Sequence, residues 1–190
     1  YLIKQVLEGD TPTARTQMHL DRCLSCRSCE TTCPSGVRYG RLVDIGREIV
    51  DRRVRRPILQ RLLRRTLRAI IPYPRRFTLL LRIGQSMRAL LPQALRRKIP
   101  ERNDAPPRPR TQHQRRVLLL EGCVQPAIAP QINASAARVL DQLGIAILTT
   151  PAAGCCGAVS YHLGAHAEGL DFMRRNIDAW WPHVQAGVEA

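Results

Sequence analysis

Cys23-Leu24-Ser25-Cys26-Arg27-Ser28-Cys29-Glu30-Thr31-Thr32-Cys33-Pro34 is the stretch that decides how this chain is read. Its C-x2-C-x2-C-x3-C-P spacing is that of a bacterial ferredoxin-type loop holding a [4Fe–4S] cluster. Cluster irons take thiolates, and two-residue gaps let one short turn of backbone aim three sulfurs at one face of a cube. The fourth cysteine is followed by a proline, which lacks a backbone N–H and fixes φ, so the chain turns away there. In two-cluster ferredoxins that fourth cysteine ligates the other cluster. Zinc is the competing reading. Zinc sites pair two C-x2-C elements at a distance or mix in histidine, and they give no reason for a third cysteine three residues on. Cys23, Cys26, Cys29 and Cys33 are therefore the expected cluster ligands. Arg22, Arg27, Arg38 and Arg41 surround the loop and are expected to raise its potential, as nearby positive charge does.

Outward from the loop, cysteine usage and charge narrow the class. Seven cysteines is an odd number, which argues against a closed disulfide framework. Tight spacings and one adjacent pair point instead to metal chemistry in a reducing compartment, so a cytoplasmic protein is expected. Nothing resembles a signal peptide, and no run of about eighteen apolar residues suggests a membrane span. Tyr1 to Leu7 reads as mid-helix and Val184 to Ala190 carries no stop signal, so the 190 residues read as a piece of a longer protein. The net charge of +15 is concentrated: residues 52–100 hold fifteen Lys and Arg and no Asp or Glu, and the remainder balances.

The chain divides into three expected parts, an α+β multidomain arrangement. Residues 1–51 form a partial α-helical ferredoxin-type module, with a helix from Thr11-Pro12 to about Asp21 and another carrying Leu42, Ile45, Ile49 and Val50 at helical spacing. Residues 52–114 hold basic amphipathic helices and a Pro-rich linker. From Pro57, Leu59, Leu62, Leu63, Leu67, Ile70 and Ile71 line one helix face while Arg61, Arg64, Arg65 and Arg68 fill the other. A second helix runs from about Phe77 to Leu91, ended by Pro92, and residues 100–114 are the linker. Residues 115–190 form a partial α/β domain. Strand Val117–Leu120, helix Ala134–Leu143 and strand Ile145–Leu148 make a β–α–β unit, whose ligand sites belong at the carboxyl ends of the strands. Cys123 follows the first strand and Cys155-Cys156-Gly157 follows the second. By spacing alone this set is either a metal or redox site or a pair of buried structural thiols.

Cys23 to Pro34 with Ser35-Gly-Val-Arg-Tyr39, then Leu120-Glu-Gly-Cys123, Gly154-Cys-Cys-Gly-Ala158, Tyr161-His162 and Asn176-Ile-Asp-Ala-Trp180-Trp181 closely resemble the iron–sulfur subunits of bacterial glycolate oxidase. The resemblance covers nearly the whole chain and is weakest in the basic middle. It implies a helical two-cluster ferredoxin module joined to cysteine-rich "CCG" domains, with Cys23, Cys26, Cys29 and Cys33 binding clusters. It also implies that Cys123, Cys155 and Cys156 are redox or cluster ligands. An earlier ferredoxin cysteine motif and further cysteines after the CCG half, usual in that family, are not in this sequence. On that arrangement Cys23, Cys26 and Cys29 serve one cluster and Cys33 another.

The basic stretch admits three readings: a solvated face bridging two domains, a face on an anionic membrane surface, or a nucleic-acid surface. Sparse aromatics argue against nucleic acid, and the resemblance favours the membrane, at the cytoplasmic face of the inner membrane. His162 and His166 lie four apart, but Gly164 between them weakens the helix a metal pair would need. Trp180 and Trp181 read as packing or interface residues. No Ser-His-Asp set, paired-carboxylate site, phosphate loop or dinucleotide fingerprint is present, so no residue is expected to be catalytic. The expected function is electron relay from a flavin-bearing partner subunit, FAD by resemblance, that oxidises glycolate or a related 2-hydroxy acid. The alternatives are a lactate-utilisation or anaerobic glycerol-3-phosphate dehydrogenase subunit, and, from another class, a zinc and nucleic-acid binding module.

Overall fold

The computed structural model describes residues 1–189. It is an α+β fold, 57% helical, with one two-stranded parallel sheet. Two compact units divide the chain: Tyr1–Arg65 with His162–Gly164, and Thr66–Tyr161 with Ala165 onward.

The first unit is helical throughout its described residues: α1 (Leu2–Leu7), α2 (Ala14–Asp21), α3 (Ser28–Thr31), α4 (Tyr39–Arg53) and the first turns of α5 (Ile58–Ile70). Thr13 starts α2 through a reciprocal capping box with Thr16, which satisfies two of the orphan N–H groups of the first turn. Ile3, Val6, Leu20, Val43 and Val50 form its core. The buried stripe of α4 is Val43, Gly46, Arg47 and Val50, one step round from the expected stripe, and Ile45 is exposed. Of the expected stripe, Val50 is in the core and Leu42 and Ile49 pack against it. Ile3 packs closely on α4: a Cβ at Gly46 would lie 3.2 Å from its Cγ1, a tight contact that Ile3 would have to yield to.

A partly buried polar cluster lies in this unit. Arg56, with 8% of its side chain exposed, holds Asp21 at 2.5 Å and also pairs with Asp51. Arg64 donates to Asp21 at 2.9 Å, and buried Gln17 donates to Asp51 at 3.0 Å. Burial pushes the Asp21 carboxyl up, but the Arg56 hydrogen bond and the Arg64 and Arg56 charges outweigh it and hold the carboxyl below its usual range.

The second unit contains the end of α5, then α6 (Pro74–Ser86), a 3-10 turn Arg88–Leu90 and α7 (Gln93–Arg96). The chain from Glu101 to Gln114 has no helix or strand. Beyond it come β1 (Arg115–Leu118), α8 (Gln125–Ile128), α9 (Pro130–Gln142), β2 (Ile145–Leu148), α10 (Ala158–His162) and α11 (His166–Gln185). The strands pair in parallel with Val117 opposite Ile147, and α9 packs on β2, so β1–α9–β2 is the crossover unit expected. Its burial favours small side chains: Ala134 and Ala137 let α9 approach the sheet.

The orientation of α5 differs from a simple apolar-inward helix. Ile58, Leu59 and Leu63 are 75%, 76% and 56% exposed, while Arg64 is largely covered by its acid partners in the first unit. In the second unit Arg68 pairs with Glu168, donating through Nε at 3.1 Å. Burial raises the Glu168 carboxyl, but bonds from Arg68 and the Ser160 hydroxyl bring it below its usual range. Partly buried carboxylates thus draw Arg64 and Arg68 inward, and the first half of the apolar stripe (Leu59, Leu62 and Leu63) is left exposed while Leu67, Ile70 and Ile71 are half-buried.

Candidate functional site

The first cysteine set lies on an irregular loop between α2 and α4, interrupted only by the single turn α3. Cys23, Cys26 and Cys29 are exposed and Cys33 is half-buried. Two non-glycine residues between the cysteines take left-handed backbone, Ser25 at φ 53° and Arg27 at φ 59°. Such φ values cost energy for residues with a Cβ, and they alternate the direction of the chain between successive thiols. Ser28 donates its hydroxyl to Cys26 Sγ at 3.5 Å, and Ser28 hydrogen bonds hold that exposed thiol below its usual range.

Helix α4 is the scaffold for this loop. Arg47, buried within the helical stripe, donates from Nε and Nη2 to the Leu20 carbonyl at 3.1 and 2.9 Å. The same guanidinium donates to the Cys23 carbonyl at 2.5 Å and the Ser25 hydroxyl at 2.9 Å. At the other end Glu30 accepts the Gly40 N–H at 2.5 Å, an acid at the first turn of α4 where the helix dipole favours it. The loop is therefore clamped at both ends by one helix. Arg22, Arg27, Arg38 and Arg41, the arginines singled out around the loop, are all exposed. The buried charge beside it belongs to Arg47, which carries no sequence signal of its own.

The loop carries four thiols and no histidine, and its one carboxylate, Glu30, is taken by the Gly40 N–H, which fits an iron–sulfur group better than a mixed-ligand metal. Among the described residues no three His, Cys, Asp or Glu side chains stand close enough to hold one ion. His162 and His166 are divided by a turn at Gly164: the first ends α10, and the second starts α11 and stacks on Tyr161 at 4.5 Å.

The second cysteine set is built by α11. Asn176 accepts the Gly154 N–H at 2.9 Å and donates to the Cys155 carbonyl at 3.0 Å, so one buried amide grips both sides of the turn. Gly157 sits at φ +83°, and a Cβ there would collide with the Gly169 carbonyl oxygen. Gly169 in turn would meet Tyr161 at 2.8 Å if it bore a Cβ. The glycine of C-C-G is thus dictated by a close crossing of the turn and α11. Cys155 is fully buried, Cys123 is half-buried and Cys156 is exposed.

Cys123 and Cys155 lie within hydrogen-bonding reach of each other. The Cys123 thiol donates to Cys155, which with the Gly157 N–H at 3.4 Å and the charge of Arg175 holds Cys155 below the ordinary thiol range despite burial. The same hydrogen bond, with burial, pushes Cys123 up. One member of the pair is thereby prepared as a thiolate, the form that ligates metals and exchanges electrons. The β–α–β unit does bring Cys123 and Cys155 together at the carboxyl ends of its strands, as their positions after β1 and β2 imply.

Trp180 is half-buried with its indole N–H unpartnered, while Trp181 is 56% exposed. No described helix is long and apolar enough to cross a membrane.

Residues 117–189 match the cysteine-rich domain family CCG. Over its full length the chain is 57% identical to the glycolate oxidase iron-sulfur subunit of Escherichia coli (strain K12), covering 47% of that protein. It is 29% identical over 206 residues to the probable glycolate oxidase iron-sulfur subunit of Bacillus subtilis (strain 168), covering 94% of this chain and 46% of that protein. The chain therefore spans a little under half the length of these relatives. No solved structure matches.

Proposed function

We propose that this chain, a homologue along its whole length of the glycolate oxidase iron–sulfur subunits, is an electron-relay segment of a 2-hydroxy acid oxidase complex. The observation that carries the reading is the C-x2-C-x2-C-x3-C-P loop clamped by α4, in a chain whose likeness to such a subunit extends over every residue. A flavin-bearing partner subunit, carrying FAD, would oxidise glycolate to the 2-oxo acid, releasing two electrons and two protons. This chain would accept the electrons one at a time. The [4Fe–4S] group supplies one-electron chemistry with little change of geometry.

The chain's own residues do the rest. Cys23, Cys26 and Cys29 present thiolates for one cluster and Cys33 for a second. Arg47 fixes the carbonyl of Cys23 and the hydroxyl of Ser25, and so sets where the first thiol starts. Cys123, Cys155 and Cys156 form a second ligand or redox set, with Cys155 kept as thiolate by Cys123, Gly157 and Arg175. The basic middle segment, residues 52–100, makes peripheral contact with an anionic membrane at its cytoplasmic face. Its exposed Leu59, Leu63, Leu79, Ile83 and Leu90 supply the apolar part of that contact.

Anaerobic reconstitution with iron and sulfide, followed by metal analysis and EPR after dithionite reduction, tests the relay. Iron with a reduced [4Fe–4S] signal that Cys26→Ser removes, in the chain alone or once an upstream cysteine motif is added back, is the expected result. Stoichiometric zinc with no iron, unrescued by adding back an upstream cysteine motif, would overturn it.

A further inference from the structure

The second unit contains a cavity of about 450 Å³ that borders the second cysteine set through Cys155 and Arg175. One wall is the rigid Pro72-Tyr73-Pro74 turn between α5 and α6, and the other is Pro151–Ala153, which follows β2 at the carboxyl end of the sheet. Its floor is the Gly154–Cys155 backbone held by Asn176. That volume falls in the usual range for small-molecule sites, and the end of a parallel strand is where such sites form.

Its charge is one-sided. Arg75, Arg76 and Arg175 line it, and no carboxylate does. This contrasts with Arg56, Arg64 and Arg68, which are each neutralised by buried or half-buried acids. Two of the three guanidiniums, though on exposed residues, rest on aromatic rings. Arg76 stacks 4.3 Å above the Tyr73 ring and donates to the Ala69 carbonyl at 2.9 Å. Arg175 lies 4.9 Å from the centre of the Phe172 ring, with Nη2 3.2 Å from where a Gly154 Cβ would stand. Tyr73 and Phe172 meet edge to face at 6.0 Å, so the two stacked arginines are held on one aromatic frame. A guanidinium resting on a ring has lost some of its rotamer entropy before a ligand arrives, and its donors match the oxygens of a carboxylate or phosphate.

We propose that this cavity is a binding site for a small organic oxyanion, a carboxylate or phosphate head on a flat apolar body. The head lies between Arg76 and Arg175, and the body packs against the proline and alanine walls. Nothing in the proposal requires the cysteines to hold a cluster, so it stands or falls apart from the relay.

Equilibrium dialysis of the full chain against 2-naphthoate, 2-naphthyl phosphate and neutral 2-naphthamide is the test. Saturable one-to-one binding of either anion, with 2-naphthamide at least tenfold weaker, is expected, and the tighter anion identifies the head group. Arg76→Gln and Arg175→Gln should each weaken it about tenfold, whereas Arg82→Gln, which lines a different cleft, should not. Ala153→Trp should fill the space and abolish binding in a chain whose circular dichroism is unchanged. Equal binding of the amide and the anions, no saturation at millimolar concentration, or wild-type affinity in both arginine variants would overturn the proposal.

Discussion

Arg47 commits all three nitrogens of its guanidinium to the end of α2 and the start of the cysteine loop, and its removal takes the side-chain donor from the partly buried Cys23 carbonyl and the charged bonds from the Leu20 carbonyl. A partly buried carbonyl that loses its donor and the lost charged bonds together cost about 2–3 kcal/mol. Arg47→Gln should therefore lower the urea midpoint by that amount at unchanged m-value, with Arg47→Lys recovering less than half because an ammonium cannot span the same carbonyls. An unmoved midpoint in Arg47→Gln would show that the clamp is not formed. Gly157→Ala places a methyl against the Gly169 carbonyl at a backbone φ of +83° and should cost about 3 kcal/mol, read as a fall in Tm. At this scale the sequence is unevenly legible. Cysteines announce themselves by spacing, and the Cys123–Cys155 encounter follows from the strand ends. Arg47 does not, because a charged residue in step with Val43 and Val50 reads as a helix surface until its carbonyl partners, more than twenty residues away, are in place.

Among the elements, the β–α–β unit is the most legible, since both strand patterns and the Gly144 stop appear in the sequence. The orientation of α5 is the least. Its leucine and arginine stripes are equally clear, but which one turns inward depends on Asp21 and Glu168, residues distant in the chain that the helix period cannot register. Arg64→Gln should thus destabilise the chain by more than 1 kcal/mol in chemical denaturation, while Arg61→Gln, on an exposed position, stays within about 0.5 kcal/mol. Asp21 gives this cluster a pH signature. Its folded carboxyl titrates below its unfolded value, so the stability it adds is complete above about pH 4, the unfolded range, and is lost as pH falls through the lower folded value. Urea midpoints measured from pH 6 to pH 2.5 should fall across that acid window, and Asp21→Asn should flatten the fall. A slope unchanged by Asp21→Asn would remove the cluster from the account of acid stability.

For the whole molecule, residues 52–100 hold fifteen basic side chains, of which Arg52, Arg56, Arg64, Arg68 and Arg88 pair with acids, and the others share the segment with apolar side chains that the fold leaves in solvent: Leu79 is 61% exposed, Ile83 47% and Leu90 83%. A solvated charge run has no need of such neighbours, whereas a peripheral membrane contact needs both, since each Lys or Arg near an anionic surface adds about 1 kcal/mol and each leucine adds burial. The two contributions respond differently to salt. Raising ionic strength from about 0.1 to 1 M shrinks the screening length from about 10 to 3 Å and should release the arginines while leaving the apolar contact intact. In vesicle flotation the chain should therefore bind phosphatidylglycerol-rich vesicles, bind phosphatidylcholine vesicles weakly, and leave the former steeply as salt rises. The double change Leu79→Ser with Ile83→Ser should weaken binding to anionic vesicles several-fold without lowering Tm, because neither side chain is part of the core. Binding that is indifferent to lipid charge, or unchanged by the double substitution, would return this face to solvent or to a protein partner.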